Sequence, residues 1–167
     1  HNQWQGIVFT TSSYDNRLSY CDIHSGLWGI RCDSSDVTRR KLTLENSVVH
    51  NTKQDVLTLV STQAFVGNSQ LSNAEGNCIT VYGGDAQFVH CTVASFSPFT
   101  VARGNALVFY NPLNGQPCPI NRLEFANCII TGYASDEIFA YTDEEVACNY
   151  AFHSCLLCTP EIKDNAE

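Results

Sequence analysis

The chain has 167 residues, with nine Lys and Arg against 17 Asp and Glu, and a net charge of −8. This length allows one domain with a sizeable core, and the charge argues against a nucleic-acid partner because no stripe of Lys or Arg could neutralise a phosphate backbone. No apolar run approaches the ~18–20 residues of a membrane span, so we expect no transmembrane segment.

The chain begins at His1 and contains no Met, and neither a signal peptide nor a lipobox is visible. We therefore expect a processed or partial piece of a longer protein, whose cellular location has to be inferred indirectly.

A four-residue phrase recurs six times and organises the chain. Its second position is always Cys or Ser and its fourth is always Ile, Val or Leu, which is a strand pattern with both side chains on one face. Successive copies start 22 to 37 residues apart, and self-similarity of this period indicates a repeat architecture. The copies are Tyr20–Ile23, Asn46–Val49, Asn68–Leu71, His90–Val93, Asn127–Ile130 and Ser154–Leu157.

Further apolar columns align with this phrase. Three residues before its Cys or Ser stand Leu18, Leu44, Val66, Phe88, Phe125 and Phe152. A separate segment of each repeat aligns Ile7, Ile30, Leu57, Ile79, Leu107 and Ile138. Two residues further on, the same segment aligns Phe9, Cys32, Leu59, Val81, Phe109 and Ala140. Each repeat thus holds three short period-2 stretches separated by Gly, Asn, Asp and Ser.

These columns predict an all-β fold, a right-handed parallel β-helix of about six coils. A propeller or sandwich would need regular hairpins, and Asn114-Gly115 is the only strong hairpin dipeptide. Coils stacked at about 4.8 Å turn the columns into internal ladders and span roughly 29 Å. We favour the right-handed form because the strict hexapeptides usual in left-handed β-helices are missing. Neither end shows a cap, so we expect further coils or a cap on both sides.

We interpret residues 1–167 as a single β-helix segment with a loop insertion around 95–120 and a polar tail at 159–167. The insertion contains Pro98, Pro112, Pro117 and Pro119. Such a loop points outward from a solenoid, where recognition usually lies. The basic cluster at residues 39–41 opens a strand and is interpreted as a solvated edge.

Nine cysteines are many for a cytosolic protein of this size. Four of them occupy the second position of the phrase, where we expect buried, unreactive thiols. Cys118 and Cys148 lie instead in longer connections, each just before a repeat. If those connections are neighbours in space, a Cys118–Cys148 disulfide is predicted, as would suit an exported protein.

Several phrases carry a family resemblance. They are Trp4–Ile7, Ser13–Asn16, Phe88–Val93, Phe125–Gly132, Asp136–Ile138 and Phe152–Leu157. Over essentially the whole chain they resemble right-handed parallel β-helix repeat proteins of the pectate-lyase-like superfamily, exported as surface lipoproteins by anaerobic gut-type Gram-negative bacteria. The resemblance implies the fold and a location that is exported, on the outer-membrane surface as a lipoprotein or extracellular. The wider superfamily includes polysaccharide lyases and hydrolases, but these motifs identify no reaction.

Tyr82, Tyr110 and Tyr141 follow the second apolar segment on consecutive coils and are predicted to point outward as a ladder. Aromatic rings with hydroxyl groups suit sugar binding, so this ladder is the candidate ligand site. The alternative is that the stacked rings only stabilise neighbouring strands.

Residues for catalysis or metal binding are sparse. The outward charges near the ladder are Arg31 and Asp33, with Arg103 and Asp85 as further candidates that would flank the same face. Glycosidases need two carboxylates facing one bond, and the adjacent acidic pairs 136–137 and 144–145 would diverge on a strand. The histidines and asparagines of the corners fit turns better than a metal site. We assign no catalytic residue, metal or cofactor.

Three functions remain open. The first is a non-catalytic exported β-helix that presents a lateral surface to a glycan or a cell-surface partner. The second is part of a polysaccharide lyase or glycoside hydrolase, with catalytic coils partly outside this segment. The third is a passive stalk or adhesin repeat. Aromatic exposure without convergent charge favours the first.

Overall fold

The computed structural model describes residues 3–97 and 103–160 as an all-β solenoid of about six turns. Strands of successive turns pair in parallel, so the predicted parallel β-helix is confirmed, while its right-handed sense stays a prediction. Within these residues, no helix is long and apolar enough to cross a membrane.

Each coil contributes strands to three faces. The first face contains β1 (Ile7–Phe9), β4 (Ile30–Cys32), β7 (Leu57–Gly67), β9 (Ile79–Val89), β11 (Leu107–Tyr110) and β16 (Ile138–Tyr141). The second contains β2 (Asn16–Ser19), β5 (Arg40–Glu45), β14 (Ile120–Ala126), β17 (Cys148–His153) and the later halves of β7 and β9. The third contains β3 (Asp22–His24), β6 (Val48–Thr52), β8 (Gln70–Ala74), β10 (Thr92–Ser95), β15 (Ile129–Gly132) and β18 (Leu156–Leu157). Because β7 and β9 run through two faces, the first and second faces form one ten-stranded sheet.

The predicted apolar columns are in register and form the core. Ile30, Leu57 and Ile79 pair in sequence across the first face and are fully buried. On the second face the rings of Phe88 and Phe125 stack with centroids 4.4 Å apart. Like residues therefore lie above like residues, so each coil presents a similar apolar surface to the next.

The first position of the repeated phrase forms a sharp corner between the second and third faces. Its backbone is left-handed in all six copies, with φ between 47° and 58°. Asn tolerates this conformation better than other residues with a side chain, which explains its recurrence there. The Nδ2 of Asn68 also donates to the Oδ1 of Asn46 at 2.8 Å, so the amides of these two neighbouring coils are bonded to each other.

The second position of the phrase, always Cys or Ser, connects neighbouring coils through its side chain. The hydroxyl of Ser69 accepts the backbone N–H of Ser47 at 3.1 Å and donates to the carbonyl of Gly67 at 2.8 Å. The Sγ of Cys128 likewise accepts the backbone N–H of Cys91 at 3.3 Å. A small side chain that both donates and accepts is needed here, and Ser and Cys meet that requirement.

The insertion predicted around 95–120 is not a single loop. It contains β11, an ordinary strand of the first face, and then a hairpin of β12 (Pro112–Leu113) and β13 (Gln116–Pro117). The hairpin turns at Asn114-Gly115, both with positive φ, as this dipeptide favours. Residues 98–102 of the insertion and 161–167 of the polar tail lie outside the described residues.

The interpretation of residues 39–41 as a solvated edge is wrong for Lys41, which has 0% of its surface exposed. Its Nζ donates to the carbonyl oxygen of Thr10 at 2.6 Å and lies 5.4 Å from the ring centroid of Tyr14. Lys41 occupies an irregularity in the pairing of β5 with β7. The aliphatic stem can therefore lie inside while the ammonium group reaches a polar partner.

Replacing Ser69 with Ala is expected to lower the free energy of unfolding by about 1–3 kcal/mol, because the buried N–H of Ser47 would lose its acceptor. Urea unfolding measures the change. Ser69→Cys is the matched control, since the chain itself uses Cys in this column, and it should cost less than Ser69→Ala. An Ala variant as stable as the parent would contradict this role for the column.

Candidate functional site

The predicted tyrosine ladder lies on the first face. Tyr82, Tyr110 and Tyr141 pair in register on three successive coils, beside columns whose alternate side chains are buried. The side chains of Tyr82 and Tyr110 are partly exposed, and Tyr141 is 50% exposed. The structure therefore brings the three predicted residues together on the outside of the solenoid.

The rings of the ladder stack on one another. The centroids of Tyr82 and Tyr110 are 4.7 Å apart with planes at 15°, and those of Tyr110 and Tyr141 are 4.9 Å apart with planes at 2°. Both faces of Tyr110 are consequently covered by aromatic neighbours. Tyr110 fits the structural alternative, strand stabilisation, and a sugar ring could stack only at the two ends of the ladder.

At the Tyr141 end, the ladder meets another aromatic ring. The ring of Phe139 lies 4.9 Å from that of Tyr141 and is tilted by 40°. At the Tyr82 end, the residue one coil earlier is Val60. Because valine is much shorter than tyrosine and carries no ring, no aromatic ring among the described residues stacks on this side of Tyr82.

A groove of about 360 Å³ is lined by both Tyr82 and Val60. The second, third and fourth coils contribute Arg31, Asp55 and Tyr82 to its lining, and the hairpin of the insertion contributes Leu113 and Asn114. A concave site with an aromatic ring, an apolar side chain and a few polar groups is typical of a small-ligand site.

The charged groups of the groove are held by partners. The Nε of Arg31 donates to Asp33 Oδ1 at 3.0 Å. Asp55 Oδ1 accepts the backbone N–H of Asn77 at 2.9 Å, and Asp55 Oδ2 accepts the hydroxyl of Thr58 at 3.1 Å. These contacts fix the carboxylate of Asp55 in the turn that leads into β7.

The sequence did not predict that Asp55 and Trp28 belong to the candidate site. Asp55 has Asn77 and Asn105 as counterparts on the next two coils. Each side-chain Oδ1 accepts the backbone N–H of the next residue in this column, at 2.9 Å in both cases. The column of Asp and Asn could therefore have been detected in the sequence. Trp28 has no aromatic counterpart. It lines the groove with its ring centroid 5.9 Å from the guanidinium carbon of Arg31.

The hydroxyls of Tyr82 and Tyr110 remain protonated at neutral pH because the pKa of both is raised. Partial burial raises the pKa of Tyr82, and the nearby carboxylate of Asp55 raises it further. Burial also raises the pKa of Tyr110, with its tyrosine neighbours adding to the effect. At neutral pH the hydroxyls of Tyr82 and Tyr110 can therefore both donate and accept a hydrogen bond.

Comparison of the chain with protein-family models, with curated proteins and with solved structures finds no match. The resemblance to the pectate-lyase-like superfamily is thus supported as far as the parallel solenoid and stays a prediction beyond it.

The structure separates the charged residues considered for catalysis. Asp85 lies on the second face, where its carboxylate binds Arg122 at 2.7 Å, and does not flank the groove. Arg103 donates to the carbonyl oxygen of Ser97 at 2.9 Å. Glu137 is buried and accepts backbone N–H groups, a structural arrangement within a turn. None of these groups converges with Arg31 on one reacting centre.

The corner histidines form pairs instead of a larger cluster. The rings of His24 and His50 lie 5.2 Å apart, and His50 Nε2 is 3.0 Å from Asp22 Oδ1. The side chain of His153 lies 3.7 Å from Glu124. Over the described ranges, no group of three or more His, Cys, Asp or Glu side chains is arranged to hold a metal ion.

The predicted disulfide is not formed in the structure, where Cys118 and Cys148 are both free thiols. The two connections are nevertheless neighbours, because Ile120 pairs with Cys148. The Sγ of Cys118 lies 3.4 Å from the carbonyl oxygen of Tyr82 on the preceding coil. The pairing stays a prediction.

A thiol count tests the pairing. In protein denatured without reductant, a Cys118–Cys148 disulfide leaves seven of the nine cysteines reactive, and nine reactive thiols would reject it.

In the folded protein at pH 8, Cys32 and Cys78 should resist alkylation, because burial raises the pKa of both thiols to about 12. Mass spectrometry after labelling identifies the modified residues.

Proposed function

We propose that the chain is a non-catalytic exported β-helix that binds a glycan on its first face, at the Tyr82 end of the tyrosine ladder. The observation that carries this proposal is that Tyr82 lines the groove on the side where its counterpart on the preceding coil, Val60, is not aromatic. Apolar faces of sugar rings pack on aromatic faces, and the hydroxyl and carboxylate groups nearby can bind sugar hydroxyls.

Rigid support is a second argument. Tyr82 lies in β9, whose neighbours β7 and β11 pair with it in parallel on both sides. Tyr110 closes the other face of the Tyr82 ring at 4.7 Å, which limits its freedom to rotate. A ring held in place before binding loses less conformational entropy when the ligand arrives.

Export and a surface location rest on the family resemblance and are part of the proposal. The same resemblance supports the runner-up, a fragment of a polysaccharide lyase or glycoside hydrolase. A lyase needs a basic group and neutralisation of a uronate. Arg31, the cation of the groove, is already bound to Asp33, so the groove offers less to a lyase than to a binding protein. A passive stalk or adhesin repeat would leave the groove without a ligand.

Replacing Tyr82 with Ala should weaken binding to a glycan by tenfold or more, since the stacking face is lost, and a tenfold loss corresponds to about 1.4 kcal/mol. A glycan panel followed by calorimetric titration measures the effect. Tyr110→Ala should act mainly on stability, by about 1–3 kcal/mol from two lost ring pairs. Tyr141→Ala completes the ladder series and should change affinity less than Tyr82→Ala.

Tyr20→Ala is the matched control for this series, because Tyr20 is 84% exposed at the opposite corner and should leave binding unchanged. Equal affinity of the parent and Tyr82→Ala would contradict glycan binding at this end of the ladder. Release of unsaturated or reducing ends from any polysaccharide in the panel would favour the enzyme alternative.

A further inference from the structure

We infer that the groove beside Tyr82 selects an uncharged sugar ring and disfavours a uronate. This inference rests on the proposed function and adds the chemical class of the ligand. It follows from three properties of the groove: its fixed charges, its hydrogen-bonding capacity and its dimensions.

Among the residues that the structure describes, the groove and the ion pair beside it hold one cation and two anions. Arg31 and Asp55 line it, and Asp33 lies against the guanidinium of Arg31 at 3.0 Å. The charge of Arg31 is therefore largely used within the protein, and the carboxylate of Asp55 remains. The net charge of the site is negative, so the carboxylate of a uronate would be repelled by it. An uncharged sugar meets no such repulsion.

The hydrogen-bonding capacity also matches sugar hydroxyls. Each carboxylate oxygen of Asp55 accepts one hydrogen bond within the protein, and a carboxylate oxygen has two lone-pair directions. A carboxylate accepts from hydroxyl groups and cannot donate to another carboxylate. Asn114, at the hairpin turn, adds an amide on the opposite side of the groove, and an amide can serve either role.

The groove is small and bounded on two sides. Its volume of about 360 Å³ lies near the lower end of the range for small-molecule sites, which is room for one or two sugar rings. The hairpin supplies Leu113 on one side, and Trp28 stands in the turn before β4 on the other. The stacked rings of Tyr110 and Tyr141 continue from one end, so the ligand meets the ladder at Tyr82 alone.

The test compares a neutral hexose oligomer with an oligogalacturonate of equal length by calorimetric titration at low and moderate salt. We expect the neutral oligomers of the panel to include a ligand that binds at least tenfold tighter than the uronate. Asp55→Asn keeps the acceptor for the N–H of Asn77 and removes the charge. It should therefore raise the affinity for the uronate and reduce the ratio of neutral-oligomer affinity to uronate affinity. Asp22→Asn, on the exposed third face, is the matched control and should leave the ratio unchanged.

The outcomes separate the inference from the proposed function. Equal or tighter binding of the uronate, lost in Tyr82→Ala, would overturn the selection for uncharged sugars and leave glycan binding at Tyr82 intact. Neutral binding that Tyr82→Ala does not weaken would overturn the groove as the site. If folded protein binds no member of either class, both the inference and the proposed function fail.

Discussion

The corner where the second face turns into the third is the constraint on which the solenoid depends. Its left-handed first residue redirects the chain in every coil, and the three backbone N–H groups of the corner then have to be satisfied. The first donates to a carbonyl of the following coil and the third to a carbonyl of the preceding coil, as Asn46 and Val48 show. The second is accepted by the Ser or Cys side chain of the following coil in most of the stack. The corner therefore fixes the register between coils, and that register aligns every other column.

The sequence predicted the corner and the core because both repeat. Small residues at the second position and branched residues at the fourth recur in six copies. Recurrence of this kind is expected when each coil has to meet the same structural requirement at the same position. Lys41 shows where this reasoning stops. Its burial depends on a local irregularity between β5 and β7, which leaves no periodic signal, and its sequence neighbours suggested a solvated edge.

The candidate site was predictable only in part for the same reason. The register placed Tyr82 next to Tyr110, but it could not show that the rings stack and thereby cover the faces a sugar would need. The groove itself includes residues with no like counterpart on the other coils, such as Trp28. It also includes a hairpin whose turn the sequence predicted at Asn114-Gly115 and whose position it did not predict. The proposed site lies where the chain departs from the repeat, and a single sequence marks such departures weakly.

Hydrogen–deuterium exchange with and without the best-binding neutral oligosaccharide tests the central claim, that an outward groove at the end of the ladder carries the function while the columns carry the fold. Ligand should slow exchange in residues 55–60 and in the hairpin at residues 111–118, and should leave the third face unchanged. Protection confined to the third face, or binding with no protection beside Tyr82, would contradict the account.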